Sequence, residues 1–234
     1  MIRGSLTSVM TTFKCKVCLG LVVDSGIAEF DLGDGTKFAC VKTFCYLGDM
    51  LNGEGGADSA GVARVRCAWK KFRELSCMLT RKNVSLKLKG KVYAACVRST
   101  MIYGSETWAM NVEQQNRLER TEMRMVRWMC GVSLTERRTN AELRGMMETE
   151  PVLDVVRRGR LRWMGHVLRK DENDWVRKVM HLEVEGRAAR GRPRTTWLKT
   201  LEKDMCLSGL TREDASDRAK WTRLSWDAQG QPPC

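Results

Sequence analysis

Cys15-Lys16-Val17-Cys18 has the two-residue gap that lets a chain offer two thiolates to one metal ion. A zinc site needs four donors; Cys40 and Cys45 could complete the set, but they stand five apart and Cys45 falls inside a strand-like run. Chemistry on two Mg2+ ions needs paired carboxylates. The adjacent acid pairs are Asp171-Glu172 and Glu213-Asp214, and neither lies near a strand signal. His166 sits alone on a mostly apolar helical stretch, where histidine is ordinarily a packed, hydrogen-bonded residue, and His181 has no companion motif. No Ser/His/Asp set and no Gly-rich loop followed by Lys-Ser/Thr occurs.

The stronger chemical signal is cationic. Arg117, Arg120, Arg124 and Arg127 recur at steps of three, four and three, one residue ahead of Leu118, Thr121, Met125 and Trp128. On a helix these are adjacent stripes, one entering a core and the other presenting guanidiniums at one-turn intervals, a spacing suited to successive phosphates. The plainer reading is a solvated face partly paired with Glu113, Glu119 and Glu122. From residue 157 to 170 there are six basic residues and no acid. Arg158, Arg162 and Arg169 share a stripe, Gly165 between them leaves the backbone approachable, and Trp163 and His166 lie on the next line, able to stack or hydrogen-bond. Interleaved cations and rings suit single-stranded nucleic acid; equally, Trp163, Met164 and Val167 form ordinary core. Arg190-Gly191-Arg192-Pro193-Arg194 matches the core of an AT-hook, which lies in the narrow minor groove of A·T DNA. The same five residues also make a plain linker that attracts phosphate generally.

Helices must position most of these groups. Short strand signals occur at 29–32, 37–40 and 43–47, with a hairpin-type turn at 33–35 and a Gly-rich hinge at 52–57. Beyond it the sequence reads almost wholly helical: 58–79, with Val62, Val65, Trp69, Phe72 and Leu79 on one side; 86–102, ending near Gly104; 112–130, stopped by Gly131; 140–147; 151–170, opened by Pro151; 175–182; 193–206, opened by Pro193; and a last helix capped by Thr211 and Asp214. The expected fold class is therefore mainly α, in five segments: 1–27, weakly ordered; 28–51, strands; 52–57, hinge; 58–150, helical; and 151–234, basic and helical.

Composition narrows the function. The 234 residues are 43% hydrophobic, enough for a buried core. Net charge is +13, and because residues 1–62 hold two more acids than bases, the rest carries +15. Such asymmetry points to RNA or DNA as partner, ahead of an anionic membrane surface. Ten cysteines do not form a disulfide pattern: Cys67, Cys77, Cys96 and Cys130 sit singly in helical patterns, where they read as small buried hydrophobes in a reducing compartment. No apolar run is long enough to span a bilayer, so the expectation is an intracellular protein of nucleus or cytoplasm with no membrane or small-molecule partner.

Three phrases in fixed order add a resemblance: FCYLGDML (44–51), RGRLRWMGHVLR (158–169) and RGRPRTTW (190–197). Together they resemble the C-terminal part of the reverse transcriptase of a non-LTR, LINE-type retrotransposon, over residues 43–205. The resemblance implies a helical, bundle-like thumb and C-terminal helices preceded by a β-hairpin remnant of the polymerase palm. It places Tyr46, Leu47 and Gly48 in the strand where palm meets thumb. It also makes Cys15 and Cys18 the last pair of a zinc finger that some members carry, separated from its earlier ligands. The family's catalytic phrase, an aromatic residue, any residue and two aspartates, is absent from these residues. The resemblance thus implies a fragment truncated upstream, not an enzyme on its own, with the Mg2+ of the intact polymerase not held here and residual non-specific RNA or DNA binding through the arginines above. Two other readings stand beside it: a zinc- or AT-hook-type DNA-binding module with a host role, and an inert pseudogene product.

Overall fold

The computed structural model describes residues 29–31, 37–39, 43–46, 49–52, 58–180 and 195–227, and this part is mainly helical. Cys15, Cys18, Leu47, Gly48, His181, Arg190, Arg192 and Arg194 lie outside the described residues. Four short strands form two antiparallel pairs. β1 (Glu29–Asp31) pairs with β2 (Lys37–Ala39), and β3 (Thr43–Tyr46) pairs with β4 (Asp49–Asn52), Tyr46 standing opposite Asp49. β4 falls mostly in a stretch read only as the end of the strand segment. It leads into the first helix, whose Ser59 hydroxyl donates to the Met50 carbonyl at 3.2 Å.

Helix limits follow from local chemistry. α1 (Asp58–Glu74) breaks at Leu75, and one further turn, α2 (Ser76–Leu79), completes the stretch read as a single helix. α3 (Leu86–Val92) starts where the Ser85 hydroxyl accepts from the Leu88 amide. It continues through a wider π-helical stretch (Tyr93–Arg98) and a last turn (Ser99–Met101). A 3-10 turn (Ser105–Thr107) intervenes, and Asn111 and Gln114 then cap α4 (Val112–Cys130) reciprocally, at 2.8 and 2.9 Å. Gly131 ends α4 in the left-handed conformation, φ 70°. Thr139 and Glu142 box the start of α5 (Asn140–Met147), and Pro151 precedes α6 (Val152–Leu168).

α7 (Trp175–Met180) and α8 (Trp197–Leu207) follow. Thr196, and not Pro193, caps α8, its hydroxyl accepting from the Lys199 amide. The Thr211–Asp214 pair closes only a 3-10 turn (Glu213–Ser216). The final helix, α9 (Arg218–Asp227), starts at Asp217, whose carboxylate accepts from the Ala219 and Lys220 amides at 2.9 and 3.0 Å.

Apolar side chains from these helices form two cores that meet within α6. Phe72, Leu79, Tyr93, Val97, Met101, Met125, Val126 and Leu143 build the first with Val152 and Val156. Leu161 and Met164, one helical turn further along α6, build the second with Leu201, Met205, Leu210 and Trp221. Buried polar groups fix the elements around these cores. The Lys89 ammonium donates to the Met129 carbonyl at 2.9 Å, a cation at the negative end of α4. Beside it, α3 crosses α5 so closely that a Cβ on Gly90 would lie 2.1 Å from the Met147 carbonyl oxygen. The Trp197 indole donates to the Glu106 carbonyl at 2.7 Å and ties α8 to the first half.

Two expectations about burial are corrected. Cys67 and Cys77 are exposed, because each lies on the outer side of its helix; Cys96 and Cys130 are half-buried. Trp128, assigned to the core stripe of α4, is 52% exposed. The stripe drifts as 3.6 residues per turn accumulate, and by Trp128 it has rotated to the rim of the core.

Candidate nucleic-acid interface

α1 and α4 run side by side in the same direction. The Gln114 side-chain amide donates to the Asp58 carboxylate at one end, and Trp69 meets Trp128 at the other. Between these ends lies a shallow, open cleft lined by Val62, Val65, Trp108, Met110, Leu118 and Arg117.

Of the four arginines read on α4, the structure leaves two free. Arg120 and Arg124 are exposed and make no ion pair among the described residues. Arg117 is paired with Glu113 at 3.4 Å, across an exposed helix turn where such a pair contributes little. Arg127 donates to the Arg138 carbonyl at 2.9 Å, so it braces the α4–α5 connection. Glu122 is fully buried and serves the core, not the arginine row. Its Oε2 accepts from Arg144 Nε (3.3 Å), Arg144 Nη2 (2.9 Å) and the Val152 amide (3.2 Å). Burial pushes its carboxyl pKa up, opposed by the Arg144 guanidinium. The neighbouring Tyr93 phenol is likewise pushed up by burial.

α6 departs further from its sequence pattern. Its acid-free run meets acids from elsewhere. Arg157 reaches Asp154 (3.3 Å) and Asp204 (3.7 Å), Arg160 pairs with Asp204 at 2.7 Å inside the protein, and Lys170 pairs with Asp174 at 2.9 Å. Arg158, chosen as a phosphate contact, is held by Glu150 at 2.5 Å and lies 3.9 Å over the Trp226 ring. Arg169 is exposed but spends one nitrogen on the Ala215 carbonyl at 3.1 Å. Only Arg162 of the three stripe residues is exposed and unpaired among the described residues. Trp163 is half-buried, its ring 5.5 Å from that of the exposed His166. Gly165 does not open the backbone: the Trp221 indole covers it.

Residues absent from the sequence reading complete the α4 face. Arg66, Lys70 and Arg73 on α1 are exposed, spaced by four and three like the α4 row, and unpaired among the described residues. That spacing was legible; the short run was hidden among the apolar positions of α1. The carboxylate pairs serve local turns. Asp171 accepts from the Asn173 amide at 2.7 Å, and Glu172 stands 3.9 Å from Arg177. Lys220 and then the Thr211 amide and hydroxyl hold the Asp214 carboxyl down at about 2. Among the described residues, no three His, Cys, Asp or Glu side chains are grouped to hold a metal ion. No helix among them is long and apolar enough to cross a membrane.

The chain is similar to a transposon-derived protein along nearly its whole length. It is 24% identical, over 226 residues, to an uncharacterized transposon-derived protein of Caenorhabditis elegans, covering 93% of this chain and 79% of that one. No protein-family model matches, and no solved structure matches.

Proposed function

We propose that this chain is the region beyond the polymerase palm of a non-LTR retrotransposon reverse transcriptase, and that by itself it binds RNA or DNA through charge and does not synthesise it. The three ordered phrases support the polymerase origin, and the similarity to a transposon-derived protein agrees with a mobile-element source. The observation that carries the binding reading is a group of five exposed cations that lack acidic partners among the described residues and stand on neighbouring faces of α1 and α4: Arg66, Lys70, Arg73, Arg120 and Arg124. Most arginines of α6, by contrast, are neutralised internally. The adjacent acids Asp171, Glu172 and Asp214 are engaged in local turns and ion pairs, and the proposal includes no metal-dependent step.

Salt titration of binding to a labelled oligonucleotide tests it. Neutralised phosphates release counterions, so affinity falls steeply with salt. Arg120→Ala with Arg124→Ala lowers the magnitude of the log–log slope by about 1.4 on a single strand, at about 0.7 per phosphate. Affinity equal at low and physiological salt refutes the reading. So does primer extension by the isolated chain that is abolished by changing one of its own aspartates.

A further inference from the structure

We infer that Trp128 is a stacking platform for an unpaired base, and that the α1–α4 face therefore takes single-stranded nucleic acid in preference to duplex. This rests on the nucleic-acid reading above and adds to it the strand state and the residue that reads it.

Trp128 is seated from beneath and open above. Its ring centroid lies 5.4 Å from that of Phe72 and 6.5 Å from that of Trp69, both on α1, tilted by 45° and 43°. Phe72 is fully buried, so the indole rests on the core and is held in one orientation, yet it remains 52% exposed. A rigid aromatic surface supported in this way loses little freedom when a base covers it. The other exposed tryptophans are differently placed. Arg158 lies 3.9 Å over the Trp226 ring, and Trp175 stands on a six-residue helix with Lys178 5.6 Å over its ring.

The surroundings of Trp128 select a polyanion. Arg124 and Arg120 lie one and two turns before it on α4, within a sector that 100° per residue keeps beside the indole. Arg66 and Arg73 stand one turn to either side of Trp69 on α1. These four cations are unpaired among the described residues, whereas nearby Glu74 and Glu113 are already engaged with Lys71 and Arg117. Guanidiniums on both flanks of a ring can follow a phosphodiester backbone while a base lies on the ring. A duplex offers the same phosphates but no free base face, because its bases are stacked on one another.

Fluorescence anisotropy of the full chain tests this with labelled (dT)20, U20 and a duplex of equal length. Trp128→Ala weakens binding to both single strands about tenfold and leaves duplex affinity within about twofold. Trp128→Phe, which keeps a ring on Phe72, retains most single-strand affinity. Trp128→Ala with unchanged single-strand affinity overturns the inference, and so does an equal loss on duplex. If the alanine variant fails to fold by circular dichroism, Trp128→Phe decides: quenching of tryptophan emission by saturating (dT)20 must be smaller than in wild type, and equal quenching overturns the inference. Wild-type protein that binds none of the probes overturns the nucleic-acid reading as well, whereas wild-type binding insensitive to Trp128 overturns this inference alone.

Discussion

An alanine at Gly165 would place its methyl carbon 2.4 Å from Trp221 Nε1 and 2.8 Å from Cδ1 and Cε2. Those atoms belong to a ring that is 2% exposed and whose Nε1 donates to the Leu161 carbonyl at 2.9 Å. The ring must move, because the backbone of α6 on its other side is fixed by both cores. Overpacking of this kind costs about 1–3 kcal/mol, and leaving the buried indole N–H unpaired costs a further 1–3 kcal/mol or so. Alanine in place of glycine returns about 1 kcal/mol of helix propensity. The net loss is about 1–5 kcal/mol, or roughly 2–20 °C in Tm for a chain of this size. Urea unfolding followed by circular dichroism measures it, with Trp221→Ala and the double variant completing a cycle, in an osmolyte where needed to keep each variant folded. In the Trp221→Ala background the methyl meets no ring, so Gly165→Ala becomes neutral or mildly stabilising. A loss below about 1 kcal/mol in the parent protein, outside the range just worked, refutes this reasoning. So does full additivity in the cycle.

Two carboxylates give pH dependences of opposite sign. Burial raises the Glu122 pKa in the folded state above its ordinary value near 4.3. Its contribution is therefore most favourable below pH of about 4 and declines as pH rises through the folded pKa. Glu122→Gln removes that slope at modest cost, whereas Glu122→Ala leaves Arg144 unpaired and costs about 3–5 kcal/mol, measured by urea melts from pH 4 to 8. Asp214 is held down at about 2, chiefly by Lys220 at 2.5 Å and then by Thr211. The stability it supplies is present above pH of about 4 and is lost as pH falls toward 2. Acid unfolding of Asp214→Asn beside wild type shows this as a smaller loss across that window, and a carboxyl titrating near 4 by NMR refutes it.

Helix existence was legible because its signals are local. The Asn111/Gln114 box and Gly131 bound α4 without reference to anything distant, and the Thr139/Glu142 box does the same for α5. Ends where two nearby residues compete to start the helix were not. Pro193 favoured an early start for the helix that Thr196 in fact caps, and Asp217 took over the start of α9 from Thr211. Burial within a helix was legible to about one turn: Leu118, Thr121 and Met125 enter the core, and Trp128, at the end of the stripe, does not. Gly165 was read as an opening because the sequence gives no sign that Trp221, far along the chain, fills the space above it.

Which arginines of α6 stay free was not legible for a related reason. Absence of acids within a run of sequence says nothing about acids on neighbouring helices. α6 lies between the two cores, so partners approach it from several sides: Glu150 from the preceding turn, Asp204 from α8, and Asp174 from the connection to α7. An arginine buried there, such as Arg160, must be paired, since an isolated guanidinium in such surroundings would cost several kcal/mol; Arg162, on the exposed side, has no such need. α1 and α4 each keep one side toward solvent, where no such requirement applies, and their cations remain available even though Glu113 and Glu74 are interspersed among them. A run of like charges therefore marks a binding face only on a helix with an open side. On a central helix the same run marks where the fold supplies its buried ion pairs.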